Sequence, residues 1–197
     1  MAYSDFSLEE LKQRFGIALS EEERLFATAV PIEPSVRLVE TLAENVPLAT
    51  AIDTEKARSE FIIAPLLAEC RRLRPGFSLF SGIDFTVDSS VGLAGLCDFI
   101  LSRSPEQLYL SAPVVMLVEA KNHRIKEGIA QCAAEMIAAQ RFNAKRGADP
   151  GPIYGAVTTG NLWRFLRLNE SQVAIDRDEY HIGDVAHILG VLMHMLG

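Results

Sequence analysis

Between residues 113 and 118 the chain reads Pro-Val-Val-Met-Leu-Val, its most apolar segment, and then breaks to Glu119-Ala120-Lys121. A short run of aliphatic residues of this kind reads as a buried strand reaching the surface at its charged end. Side chains alternate along an extended strand, so Glu119 and Lys121 point the same way, about 6.6 Å apart, while Ala120 turns back into the core. An acid and a base on one ledge suit a divalent cation and the water that it activates.

The other elements arrange themselves around this strand. Ser7-Leu8-Glu9-Glu10 has the pattern of a capping box and starts a short helix, and Pro34-Ser35 opens a second that runs to about Ala49. Asp53 or Thr54 caps a longer helix, with Ile62, Ile63, Leu66, Leu67, Cys70 and Leu73 at helical spacing, before Pro75-Gly76 stops it. Pro65 is expected to kink that helix. Two β-rich runs, 78–87 and 92–101, flank the loop Asp88-Ser-Ser-Val-Gly92 as a hairpin, and a polar stretch then leads to the strand ending at Glu119. A helix over 126–146 carries the apolar stripe Ile129, Ala133, Met136, Ile137 and Phe142. Segments 153–159 and 162–168 form a second hairpin through Thr159-Gly160-Asn161, 173–175 adds an edge strand, and 183–196 makes a closing amphipathic helix. This order predicts an α/β fold, a mixed central sheet with helices on both faces. Residues 1–52 read as an acidic helical N-terminal extension and 53–197 as the main domain.

At 49% hydrophobic and 23% charged, 197 residues can bury a full core. The net charge of −7 argues at first against a nucleic-acid partner, but residues 1–60 hold 12 acidic and 6 basic side chains and so carry most of it. Basic clusters follow, at Arg71-Arg72, around Lys121-x-His123-Arg124-x-Lys126 and at Lys145-Arg146. They are candidates for a phosphate-backbone track, with Arg71, Arg72, Lys126 and Lys145 the expected contacts, or simply solvated faces. Cys70, Cys97 and Cys132 follow no metal-ligand spacing and read as reduced core residues. With no signal-peptide pattern and no run approaching eighteen apolar residues, the expectation is a soluble cytoplasmic protein with no membrane partner.

Three acids line up with the predicted elements: Glu60 in the helix before the sheet, Asp98 near the end of the second strand and Glu119 at the end of the third. With Lys121 and Gln131 they give the chain its resemblance to the PD-(D/E)XK nuclease superfamily, whose restriction-endonuclease-like core runs α-β-β-β-α-β. Asp98-Phe99 and Glu119-Ala120-Lys121 match the two parts of the motif, Glu60 matches the helix-one glutamate, and Gln131 the glutamine of the following helix. The resemblance covers about residues 54–168. One departure is Leu96-Cys97, standing where the family places a proline before the acid. Glu55, five residues before Glu60, is an alternative for the helix-one acid.

The resemblance implies metal-assisted phosphodiester hydrolysis, with DNA the expected substrate. Asp98, Glu119 and the carbonyl of Ala120 would hold Mg²⁺ or Mn²⁺, Glu60 would orient a second ion or a bound water, and Lys121 would position the attacking water. Gln131 would hold water or the phosphate. Read structurally, Asp98 could cap a turn or pair with Arg103, Glu119 and Lys121 could form a strand-end ion pair, and Gln131 could satisfy backbone groups. His123 reads as a surface residue, and Thr158, Thr159 and Trp163 as hairpin packing. The alternative function is a non-catalytic binding or assembly module on the same scaffold. The apolar excess of the closing helix suggests a homodimer, and the acidic net charge suggests a partner protein that delivers DNA.

Overall fold

In the computed structural model, which describes residues 2–21 and 23–197, the apolar run is strand β4 (Val114–Ala120), every residue of which is buried. It is a central member of a mixed sheet that also contains β1 (Ala18–Ser20), β2 (Ser78–Asp84), β3 (Leu96–Ser102), β5 (Ile153–Thr158), β6 (Leu162–Asn169), β7 (Gln172–Ile175) and β8 (Tyr180–His181). The spatial order is β1-β7-β6-β5-β4-β3-β2, with β8 beside the start of β6. β4 and β5 run parallel, as do β1 and β7. A parallel neighbour requires a crossover, which helix α5 (Ile125–Ala144) supplies between β4 and β5.

Two apolar layers cover the sheet. On one face α5 and α1 (Leu8–Phe15) pack against Leu117, Val157 and Leu166. On the other α2 (Val36–Ile52), α4 (Ala64–Leu73) and α6 (Val185–Leu196) pack against Val115, Val118 and Phe165. Burial on both faces is the reason β4 is apolar without alternation.

Local chemistry sets the helix ends. Ser7 and Glu10 cap α1 reciprocally, the Ser35 hydroxyl accepts from Leu38 N–H at 3.2 Å, and Thr54 caps the short helix α3 (Glu55–Arg58) through Ala57 N–H at 3.1 Å. Asp53 ends α2 in the left-handed region, at φ 57°. The disturbance expected at Pro65 takes the form of a π turn over Ser59–Ile63, which joins α3 to α4. Proline has no N–H for the carbonyl four residues back, that of Phe61, which instead accepts from the Asn45 amide at 3.0 Å.

Three expectations change. The acidic leading segment is not only helical: Ala18–Ser20 forms β1, too short a strand to show periodicity. It pairs with β7, so β7 lies inside the sheet rather than at its edge. Much of the apolar excess of α6 is consumed within the chain, where Ile188, Leu189, Val191, Leu192, Met195 and Leu196 are buried, while Val185 and Met193 are partly buried. The segment at Val30–Ile32 crosses this helix, with Ile32 N–H donating to Ala186 O at 2.9 Å. It passes so close to Gly190 that an added Cβ would stand 2.3 Å from the Val30 carbonyl oxygen. Among the described residues no helix is long and apolar enough to cross a membrane, and all three cysteines are buried and free.

Candidate functional site

The register of β3 and β4 builds the site. The strands are antiparallel and Phe99 pairs with Val118, which sets Asp98 across from Glu119. Asp98 thus lies near the start of its strand, not near the end: residues 92–95 belong to the preceding loop, and in an antiparallel pair only the start of β3 can meet the end of β4. The Asp98 carboxylate accepts from Ala120 N–H at 2.8 Å. Lys121 N–H donates to Thr158 O at 2.8 Å, which carries the alignment of β4 one residue further. The side chains of Glu119 and Lys121 therefore leave the sheet together, toward α5.

There they form one hydrogen-bonded set. The Lys121 ammonium is ion-paired with Glu119 Oε1 and donates to Gln131 Oε1 at 3.3 Å. Gln131 Nε2 in turn donates to Glu135 Oε1 at 3.2 Å. Gln131 and Glu135 stand one turn apart on α5 and so share its inner face. Glu119 is 1% exposed and Glu135 0%.

Burial dominates the electrostatics. It raises the pKa of Asp98, the bond from Ala120 N–H only partly offsetting it. Burial, and then the charge of Asp98, push Glu119 up to about 7. Glu135 is driven well above the usual carboxylate range by complete burial and by Glu119 beside it. For Lys121, burial opposes the charge, but the Glu119 carboxylate outweighs it and the net shift is upward. Among the described residues neither Glu119 Oε2 nor Glu135 Oε2 has a donor.

Glu60 is brought only to the rim. It lines a cleft of about 240 Å³ with Glu55, Ser81, Gly82, Asp98 and Ala120, but its carboxylate is half exposed and ion-paired to Lys56 at 2.7 Å. Five residues is 1.4 turns of α-helix, so Glu55 and Glu60 would diverge on a regular helix; both line the cleft across the junction of α3 and the π turn. The cleft is lined by oxygens of Glu55, Ser59, Glu60 and Asp98, which suit a hard divalent ion, and by Lys56, which does not; Glu119, outside that lining, has a buried Oε2 without a donor among the described residues. Asp98, Glu119 and the Ala120 carbonyl thus fit such an ion chemically. Even so, among the described residues no three His, Cys, Asp or Glu side chains are grouped as an ion would require; Glu119 is paired with Lys121 and Glu60 with Lys56.

Sequence reasoning missed three contributors. Glu135 gave no signal, because an acid in a long helix reads as solvent-facing. Gly128 lies under the Lys121 stem, where an added Cβ would come 3.1 Å from its Cγ and 2.6 Å from Val157. Arg58, buried, donates to Thr159 O at 3.1 Å, Asn122 Oδ1 at 3.2 Å and Asp53 Oδ1 at 2.9 Å, which ties α3 to the loop after β4.

The four expected phosphate contacts scatter. Lys126 is in the first turn of α5, where it lines a cavity with Leu162, Arg164 and Glu179 rather than the cleft at Asp98. Lys145 follows the other end of that 20-residue helix, about 30 Å away, and donates to Val87 O at 3.1 Å. Arg71 and Arg72 sit in the last turn of α4, far from its π-turn end, and Arg72 is paired with Glu69 at 2.7 Å. His123 is exposed, 3.7 Å from Asp53. Trp163 is buried and donates to Gly160 O at 3.0 Å, while Thr158 bonds Leu162 O at 2.9 Å; both are hairpin packing. Arg103 turns to Pro150 O, at 3.5 Å, and forms no ion pair with Asp98.

Comparison with family models, with characterised proteins and with solved structures yields no match.

Proposed function

We propose that this protein is a metal-dependent nuclease that hydrolyses phosphodiester bonds, in DNA above all, on a restriction-endonuclease-like core. The observation that carries the reading is the meeting of Asp98 and Glu119 across adjacent strands, with Lys121 and Gln131 bonded into the same group. The order α3/α4, β2, β3, β4, α5, β5 is consistent with the α-β-β-β-α-β core.

Asp98, Glu119 and the Ala120 carbonyl would hold Mg²⁺ or Mn²⁺, which would supply Lewis acidity to the phosphate and acidify a water. Burial makes both Asp98 and Glu119 resist ionisation, and the charge of Asp98 adds to the cost at Glu119, so a cation between them would relieve a cost that the metal-free site bears. Lys121 orients the attacking water and offsets the charge that grows on the phosphorane as the water oxygen bonds to phosphorus and the ester P–O bond breaks. Gln131 keeps the Lys121 ammonium beside Glu119, and Glu60 or Glu55 at the rim orients further water. Lys126, in the first turn of α5, would meet the phosphate backbone. With a net charge of −7, a partner protein that presents the DNA is part of the proposal.

A second reading, a non-catalytic module on the same scaffold, is favoured by one observation: the Lys121 ammonium already neutralises Glu119, so the group is bonded without an ion. One assay separates the two. Purified protein is incubated with Mg²⁺ or Mn²⁺ and single-stranded, duplex and branched DNA, and RNA, beside Asp98→Asn. Cleavage that is lost in the variant supports the nuclease; no cleavage together with no metal binding supports the scaffold.

A further inference from the structure

Most polar side chains buried in this fold serve the backbone. Asn143 on α5 bonds both Val114 N–H, at 2.8 Å, and Val114 O, at 2.7 Å, which pins the start of β4. Asp176 accepts from Leu25 N–H, Asp178 N–H and the Tyr180 hydroxyl. Glu135 differs. It is completely buried among the apolar residues of α5 and the sheet, where a carboxyl group is costly. Its one hydrogen bond comes from Gln131, and no hydrogen bond to the backbone is made among the described residues. A helix that needed only to pack would carry Leu there.

From this we infer that Glu135 is a positioning residue for Lys121, acting through the amide of Gln131. The inference rests on the nuclease reading for its catalytic meaning, though not for its geometry. A glutamine amide has a donor end and an acceptor end, and rotating it by half a turn exchanges them. Glu135 Oε1 accepts from Nε2 at 3.2 Å, and this leaves Oε1 of Gln131 facing the Lys121 ammonium at 3.3 Å. In the opposite orientation two donors would confront each other at Lys121, and an unprotonated oxygen would confront the Glu135 carboxyl group. Glu135 thus fixes the polarity of Gln131, and Gln131 holds the ammonium on the side of Glu119. Each bond polarises the next, so the set acts as a unit. Gly128 completes it by leaving room for the Lys121 stem against α5.

The test reads Lys121 in protein free of metal and substrate. Acylation by an amine-reactive ester is followed by mass spectrometry in the wild type, Glu135→Leu, Glu135→Gln, Gln131→Leu and the double Leu variant, with Lys56 and Lys126 as internal references. Losing a hydrogen bond to a charged group should speed Lys121 acylation about tenfold in each single Leu variant. The double variant should be no faster than either single, because both break one chain. Glu135→Gln, which retains an oxygen to accept from Gln131, should restore protection. Unchanged protection in Glu135→Leu, or additive effects in the double variant, would overturn the inference. Should Glu135→Leu fail to fold, Glu135→Met takes its place under the same criteria. Protection that behaves as expected in a protein without nuclease activity would sink the nuclease reading and leave the positioning role standing. In an active protein, Glu135→Leu should lower kcat and leave KM unchanged, with Glu135→Gln recovering the rate.

Discussion

Raising the pH of the metal-free protein from about 5 to about 8 should destabilise it, and the structure sets both sign and size. Glu119 moves from an ordinary value of 4.5 to about 7 on folding, because burial and Asp98 disfavour its charge. Between those values the folded protein keeps a proton that the unfolded chain has released, so stability falls as pH rises. Each pKa unit is about 1.4 kcal/mol, which makes the loss from this one group about 3 kcal/mol, a large share of the roughly 5–15 kcal/mol that holds a domain together. Glu135 extends the decline to higher pH, and Asp98 and Asp176, also raised by burial, add to it. Glu69 works in the opposite sense but in another window. The Arg72 ion pair holds it down at about 2, so its contribution is complete above its unfolded value of 4.5 and is lost only as pH falls toward 2. Urea unfolding in a chelator at several pH values measures the effect directly. The expected profile descends from pH 5 to 8 by at least the share of Glu119, about 3 kcal/mol, becomes shallower in Glu119→Gln, and is lifted at the alkaline end by Mn²⁺. A flat or rising profile, or one that Glu119→Gln leaves unaltered, would refute the claim that these carboxylates bear a charge cost in the absence of an ion.

Three further outcomes follow. Lys121→Ala should cut kcat by about a hundredfold or more with KM little changed, because its charge matters most as the phosphorane forms; single-turnover cleavage is the check. Asp98→Asn should raise the metal-free melting midpoint, by about 1 kcal/mol in stability terms, while calorimetry detects no Mn²⁺ binding, since the amide keeps an acceptor for Ala120 N–H but sheds the repulsion with Glu119. Gly128→Ala should cost about 1–3 kcal/mol in denaturant unfolding, because its Cβ would press on Val157 and on the Lys121 stem.

The elements built on long periodic or continuous apolar runs were legible in the sequence. The run at 113–118 announced β4, and the stripe from Ile129 to Phe142 announced α5, because burial on both faces or on one face imprints its period directly. β1 was not legible: three residues, Ala18-Leu19-Ser20, carry no period, and they become a strand only because β7 offers an edge far along the chain. The segment that packs over α6 at Ala186 and Gly190 was hidden for a related reason, since Val30–Ile32 has no pattern of its own. At the site, Asp98, Glu119, Lys121 and Gln131 could be chosen by type and order, and the register of β3 on β4 brings the two acids together. Glu60 matched equally well in sequence but is drawn outward by Lys56, a neighbour one turn away on the same helix. Glu135 stayed hidden because a buried acid carries no local signature: its partners, Gln131 on its own helix and Glu119 on a strand, are specified by packing.

A crystal soaked in Mn²⁺ tests the central claim most directly, since the anomalous signal locates the ion without reference to any substrate. The nuclease account predicts a peak coordinated by the Asp98 and Glu119 carboxylates and the Ala120 carbonyl, with the Lys121 ammonium withdrawn from Glu119 Oε1. Lys121 still paired to Glu119, and no manganese between Asp98 and Glu119, would contradict it.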